Sequence, residues 1–112
     1  MQIVSFDQFA AVDIRAGTVV RAEAFPEARK PAIKVWVDFG PELGVRQTSA
    51  QITVHYTPET LPGRRVAGCI NLGTKKIAGF SSEFLLLGFP DENGTVVLMG
   101  ADKDVPNGGK LF

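Results

Sequence analysis

The residues best equipped for chemistry lie close together between Asn71 and Glu83, in the run Asn-Leu-Gly-Thr-Lys-Lys-Ile-Ala-Gly-Phe-Ser-Ser-Glu. Lys75 and Lys76 set two ammonium groups side by side, a spacing that suits successive phosphates as well as open solvent. Asn71 and Ser82 offer donors and acceptors to a base edge or a peptide backbone, and equally to the backbone of a local turn. Phe80 and Phe84, with Trp36 upstream, carry aromatic faces that stack on bases or grip apolar side chains. Arg29 and Lys30 form a second basic pair, in a loop whose shape is preset by Pro26 and Pro31. Glu83 opposes anion binding and reads as a structural hydrogen-bonding group, as does Arg15 beside Asp13.

The same inventory argues against catalysis. His55 is the one histidine and Cys69 the one cysteine, so the chain has neither a His/Cys metal-ligand set nor an internal disulfide. Ser81 and Ser82 lack the Gly-x-Ser-x-Gly setting of an activated serine, and no phosphate-binding loop is present. The expectation is recognition, with no enzymatic activity, cofactor or metal.

Twelve basic residues balance twelve acidic ones among 112. Nucleic-acid contact therefore has to come from a local patch, not from overall charge. The chain has neither a basic leader nor an apolar run of membrane-spanning length. Cys69 sits unpaired in an apolar stretch, as in a reducing compartment. These features predict a soluble cytoplasmic protein without membrane insertion, folded as one domain over 1–112 and small enough to gain from self-association.

Periodicity supplies the elements that must position these groups. Ser5 and Gln8 have capping-box spacing ahead of a short helix with Phe6 and Phe9 on one side. A first strand follows from Val12 to Ala24, with Gly17 as the expected bulge. Ile33, Val35, Val37 and Phe39 share one face of a second strand, opposite Lys34, Trp36 and Asp38. A turn over Gly40–Gly44 leads into a third strand, Val45–Ala50. Thr57-Pro58-Glu59 predicts a short helix closed by Pro62 and Gly63. Strands at Val66–Leu72 and Phe84–Leu87 complete the order of an all-β, five-stranded OB-fold barrel with short helices. A further strand, Val96–Met99, and a tail holding Val105, Leu111 and Phe112 exceed what that barrel needs. Together with the N-terminal helix they are read as extensions forming a dimer seam, the alternative being that they pack on their own barrel.

Several blocks carry a resemblance. Val12-Asp13-Ile14-Arg15-Ala16-Gly17, Val37-Asp38-Phe39-Gly40, Asn71-Leu72 and Gly79-Phe80-Ser81-Ser82-Glu83 resemble the successive blocks of the tRNA-binding OB-domain family. Phe25-Pro26-Glu27-Ala28-Arg29-Lys30-Pro31-Ala32, Ser49-Ala50-Gln51-Ile52-Thr53, His55-Tyr56-Thr57-Pro58-Glu59 and Ile77-Ala78-Gly79-Phe80 are similar to its CsaA-type export-related chaperones. That resemblance implies a homodimer holding unfolded or export-bound precursor polypeptides without ATP, in contact with the protein-export machinery. The peptide-binding residues would be Trp36, Phe80, Phe84 and Leu85. The alternative it implies is tRNA binding at the same mouth, through Arg29, Lys30, Asn71, Lys75, Lys76 and Ser82. Two departures from the wider family stand out. Phe84 and Leu85 replace the usual Gly-Met after the Ser-Glu pair, which tunes the mouth toward an apolar ligand, and Ala16 replaces the usual valine.

Overall fold

The structure is a computed structural model and describes residues 1–112. Its first element, α1 (Phe6–Ala11), starts as the sequence dictates: the Ser5 hydroxyl accepts the Gln8 amide at 3.0 Å while the Gln8 side chain accepts the Ser5 amide at 2.7 Å. This reciprocal cap satisfies two of the N–H groups that a helix leaves unpaired. No residue of α1 is buried.

Strand β1 (Ile14–Ala24) is long and serves both halves of the barrel. Its first half pairs antiparallel with β4 (Arg65–Cys69), and its second half with β2 (Ile33–Asp38). The register slips between Val19 and Arg21, so the bulge lies at Val20 and not at Gly17 as expected. Gly17 meets a different demand: a Cβ there would lie 2.5 Å from Val37 Cγ1 and 2.9 Å from the Phe39 ring. The strands cross too closely for any side chain.

On β2 the alternation holds. Ile33, Val35 and Val37 are buried and the residues between them half-buried. A single turn of helix, α2 (Gly40–Leu43), replaces the expected plain turn and delivers the chain to β3 (Val45–Ala50), which pairs with β2 along its whole length. The short helix expected after Thr57 does not form. Thr60 and Arg64 instead close four-residue turns onto Thr57 and Leu61, because Pro62 and Gly63 follow too soon for successive helical i→i−4 bonds.

The hairpin β5 (Lys75–Ile77) and β6 (Phe80–Ser82) stands where a loop was expected, turning through Ala78 and Gly79 at positive φ. After it come β7 (Leu85–Leu86) and a second hairpin, β8 (Gly88–Pro90) with β9 (Val96–Leu98). The five-stranded sheet runs β3-β2-β1-β4-β7. It curls so that its two edges, β3 and β7, face each other and nearly close an OB-type barrel around Val19, Ile33, Val35, Val37, Phe39, Val66, Phe84 and Leu86.

The C-terminal tail folds back on this same barrel. Ala16 exchanges backbone bonds with Gly108 and Gly109, Leu111 donates to the Ile14 carbonyl, and the Thr18 hydroxyl donates to Asn107. Val105, Leu111 and Phe112 nevertheless keep much of their apolar surface exposed, as do Met1, Ile3, Val4, Phe6 and Phe9 at the other end of the chain.

Candidate functional site

The barrel closes through side chains and one backbone bond instead of a ladder. Glu83 donates its amide to the Gln47 carbonyl at 2.8 Å, and its carboxylate accepts the Gln47 amide at 3.0 Å. Ser82 Oγ accepts the Ser49 amide at 3.1 Å and pairs with Ser49 Oγ at 3.2 Å. Thr48, buried, donates its hydroxyl to the Phe84 carbonyl at 2.7 Å. The Ser-Ser-Glu run, at the end of β6 and in the link to β7, is therefore a clasp onto β3. Ser82, expected to face a ligand, is buried in that clasp, whereas the structural role expected of Glu83 is the one it has.

Beyond the clasp β3 and β7 diverge, and the gap is a groove of about 470 Å³. Its floor is apolar, from Ala50, Ile52, Leu85, Leu86 and Val96, with Ile77 at the hairpin end. Its far wall is the loop holding Ala28, Arg29, Lys30 and Ala32, closed at its base by the Phe25 amide on the Ala32 carbonyl. Neither Arg29 nor Lys30 enters an ion pair, and no acidic side chain lines the groove. The arrangement is an open apolar trough with one cationic wall.

The expected site residues divide accordingly. Leu85, Arg29 and Lys30 line the groove, and Leu85 stays 51% exposed despite its size. Lys75 and Lys76 are exposed on β5, on a strand and not in a turn, next to the groove-lining Ile77.

Phe84 is a correction: its ring is buried edge-on against Phe39, with centroids 5.0 Å apart, and holds the core together. Gly68 is what makes room, since a Cβ there would lie 2.8 Å from the Phe84 ring. Asn71 is also committed elsewhere. Its carboxamide oxygen accepts the Asp13 amide at 2.9 Å and its nitrogen donates to the Ala11 carbonyl at 2.7 Å, pinning the junction of α1 and β1.

Trp36 and Phe80 are half-buried on the outside of the barrel. The Phe80 ring stands edge-on between Phe25, at 5.5 Å, and Trp36, at 5.9 Å, with the Lys34 ammonium 5.0 Å from its centre. Trp36 donates its indole N–H to Gln47 at 3.2 Å and carries the Arg21 guanidinium over its ring. Neither ring lines the groove, and both buttress the elements that do.

Reasoning from residue types missed Ala28, Ala32, Ala50, Gln51, Ile52, Ile77 and Val96, which have little or no distinctive chemistry of their own. The signal that marked most of them was block resemblance: Phe25–Ala32, Ser49–Thr53 and Ile77–Phe80 form three borders of the groove.

Two carboxylate contacts brace the surroundings. The Asp13 carboxyl is held below its usual range first by the hydrogen bond from Arg15, at 2.6 Å, against some desolvation. Asp91, in the turn of the β8–β9 hairpin, is lowered first by His55, whose Nε2 lies 2.7 Å away, and then by the Thr95 and Asn93 amides. His55 is a strut here, with no cluster of metal-ligating side chains around it.

Comparison with known proteins places this geometry in a class. The family model described as "Putative tRNA binding domain" matches residues 14–110. The crystal structure of chaperone CsaA from Bacillus anthracis superposes with a TM-score of 0.92 at 47% identity, covering 99% of this chain and 100% of that one. The CsaA chaperone protein from Picrophilus torridus gives 0.90 at 35% identity, covering 98% and 100%. Methionine–tRNA ligase of Methanocaldococcus jannaschii is 36% identical over 111 residues, which are 99% of this chain but 17% of the ligase. The chain belongs to the tRNA-binding domain family, as a CsaA-type member with an OB-fold barrel. No helix is long and apolar enough to cross a membrane.

Proposed function

We propose that this chain is a homodimeric, ATP-independent chaperone of the cytoplasm that holds unfolded or export-bound polypeptides in the groove between β3 and β7 and passes them to the export machinery. One observation carries the reading: the groove has an apolar floor, an exposed leucine at its edge and a cationic wall without acidic partners. An apolar trough with a polar rim is the anatomy of a surface that takes apolar side chains from another chain. The similarity to two chaperone structures supports it, and the apolar side chains left exposed at both termini support self-association.

Leu85→Asp tests the reading with little risk to the fold, because Leu85 is exposed. Suppression of aggregation of a chemically unfolded client should drop several-fold while the melting temperature stays within a few degrees. Full protection by this variant would remove the groove from the mechanism.

The second reading, tRNA binding, has its own support in the family match and in the ligase relatives, where the similar region is one part of a tRNA-charging enzyme. Lys75 and Lys76, exposed and unpaired on β5, are the groups that would meet phosphate. Binding of bulk tRNA and of an unfolded polypeptide, titrated side by side across a salt series, separates the two. Phosphate contacts give a steep salt slope and apolar contacts a shallow one.

A further inference from the structure

The backbone has an open edge where the chain leaves β3 along the groove. Amides of alternate residues point the same way along a strand. Those of Gln47 and Ser49 point toward the gap, and Glu83 and Ser82 cap them. Gln51, the first residue past β3, lines the groove, and neither its N–H nor its carbonyl takes part in any hydrogen bond. The Ser49 carbonyl receives a long contact, 3.5 Å from Thr48 Oγ1. The capping stops there: Gln51 shares the groove with Leu85, whose side chain has nothing to donate or accept. An unpaired strand edge beside an exposed leucine is a template for another chain.

We infer that the groove recognises its polypeptide by strand addition: an extended segment pairs with the Ser49–Gln51 edge, sets alternate apolar side chains on Leu85 and Ile52, and directs acidic neighbours to Arg29 and Lys30. This rests on the polypeptide-holding reading above and specifies its mode. Main-chain pairing gives affinity without dictating sequence, which suits a protein whose clients share only being unfolded. The cationic wall, with no acid in the lining, selects for carboxylates. A folded client presents no free strand and is passed over.

The test uses the full chain and a short fluorescent peptide of alternating valine and threonine with aspartates at both ends. Two isomers carry N-methyl groups on alternate amides, in opposite phase. Strand addition predicts at least a tenfold loss of affinity for one phase, a change under twofold for the other, and at least tenfold slower hydrogen exchange of the Gln51 amide with the parent peptide bound. Equal affinities of the two isomers, whether both retained or both weakened, would overturn strand addition while leaving the polypeptide-holding reading intact. Failure of the parent peptide and of an unfolded protein to bind at all would overturn both.

Discussion

Glu83 and Gln47 exchange two hydrogen bonds, one from backbone to backbone at 2.8 Å and one from the Gln47 amide to the Glu83 carboxylate at 3.0 Å. The carboxylate thus completes a pairing that two strands would ordinarily make between main chains. Its neighbour Ser82 does the same for Ser49. What resembles a ligand-binding cluster in sequence is largely the fastening of the barrel, and the groove opens where the fastening ends.

Glu83→Ala should therefore act on stability more than on binding. It leaves the Gln47 amide without its acceptor, at a cost of about 1–3 kcal/mol. Glu83→Gln keeps a carbonyl oxygen in reach and should lose less than half as much. Urea denaturation of the two variants checks this, and equal midpoints for Glu83→Ala and the parent would remove the clasp.

Phe84 and its neighbour Leu85 should separate sharply. Truncating the buried phenylalanine to alanine costs about 3–5 kcal/mol, a large share of the stability of a small domain. Leu85→Ala, exposed, should stay within about 0.5 kcal/mol of the parent yet weaken client binding. Thermal melts run beside an aggregation assay read both effects.

Lys75→Ala and Lys76→Ala test the nucleic-acid reading. Each should weaken tRNA binding to a similar degree whatever the tRNA sequence, and reduce the salt slope by about one unit for each phosphate no longer neutralised. Unchanged slopes in both variants would take β5 out of any role in holding phosphate.

The Asp13–Arg15 pair gives the acid limb of stability its sign. The folded-state pKa of Asp13 is lowered, chiefly by the Arg15 hydrogen bond, so below about pH 4, near the unfolded value, the unfolded chain binds more protons. The stabilisation is fully present at neutral pH and is lost as pH falls through the lowered folded value. Asp91, lowered first by His55, adds to the same limb. Asp13→Asn should be less stable at pH 7 and lose less stability between pH 5 and 2. An unaltered acid slope in urea titrations would contradict the pairing.

The barrel was legible because its strands obey a period of two, plainest in Ile33–Phe39, and because α1 carries its own cap in Ser5 and Gln8. Two kinds of feature were not. The β5–β6 hairpin is too short for a period to show, and its turn depends on positive φ at Ala78 as well as Gly79, which residue type at Ala78 does not announce. The groove is made largely by small and aliphatic residues from separated segments, and those residues look like core until the chain is folded. Polar residues misled for the converse reason: Asn71 and Ser82 have the chemistry of ligands, but backbone groups far away in sequence use it first.

Dimerisation is best tested at α1. Removing the tail from Asp104 onward would confuse two effects, because Gly108, Gly109 and Leu111 make backbone bonds to the chain's own β1 at 2.8–2.9 Å. Phe6 has no such duty. It is 76% exposed, stands near Phe9 with ring centroids 6.2 Å apart, and belongs to a helix with no buried residue. A helix tied to the barrel only at its C-terminal end, through Asn71 and Lys110, with two phenylalanines in water, gains by covering them with a second copy. The parent should sediment as a dimer at micromolar concentration. Phe6→Glu should sediment as a monomer with an unchanged far-ultraviolet spectrum, its melting temperature lower only by the contribution of association. A monomeric parent would remove the homodimer from the proposed mechanism. A dimeric Phe6→Glu variant would move the seam from α1 to the exposed Leu111 and Phe112 of the tail, where Phe112→Glu is the next substitution to measure.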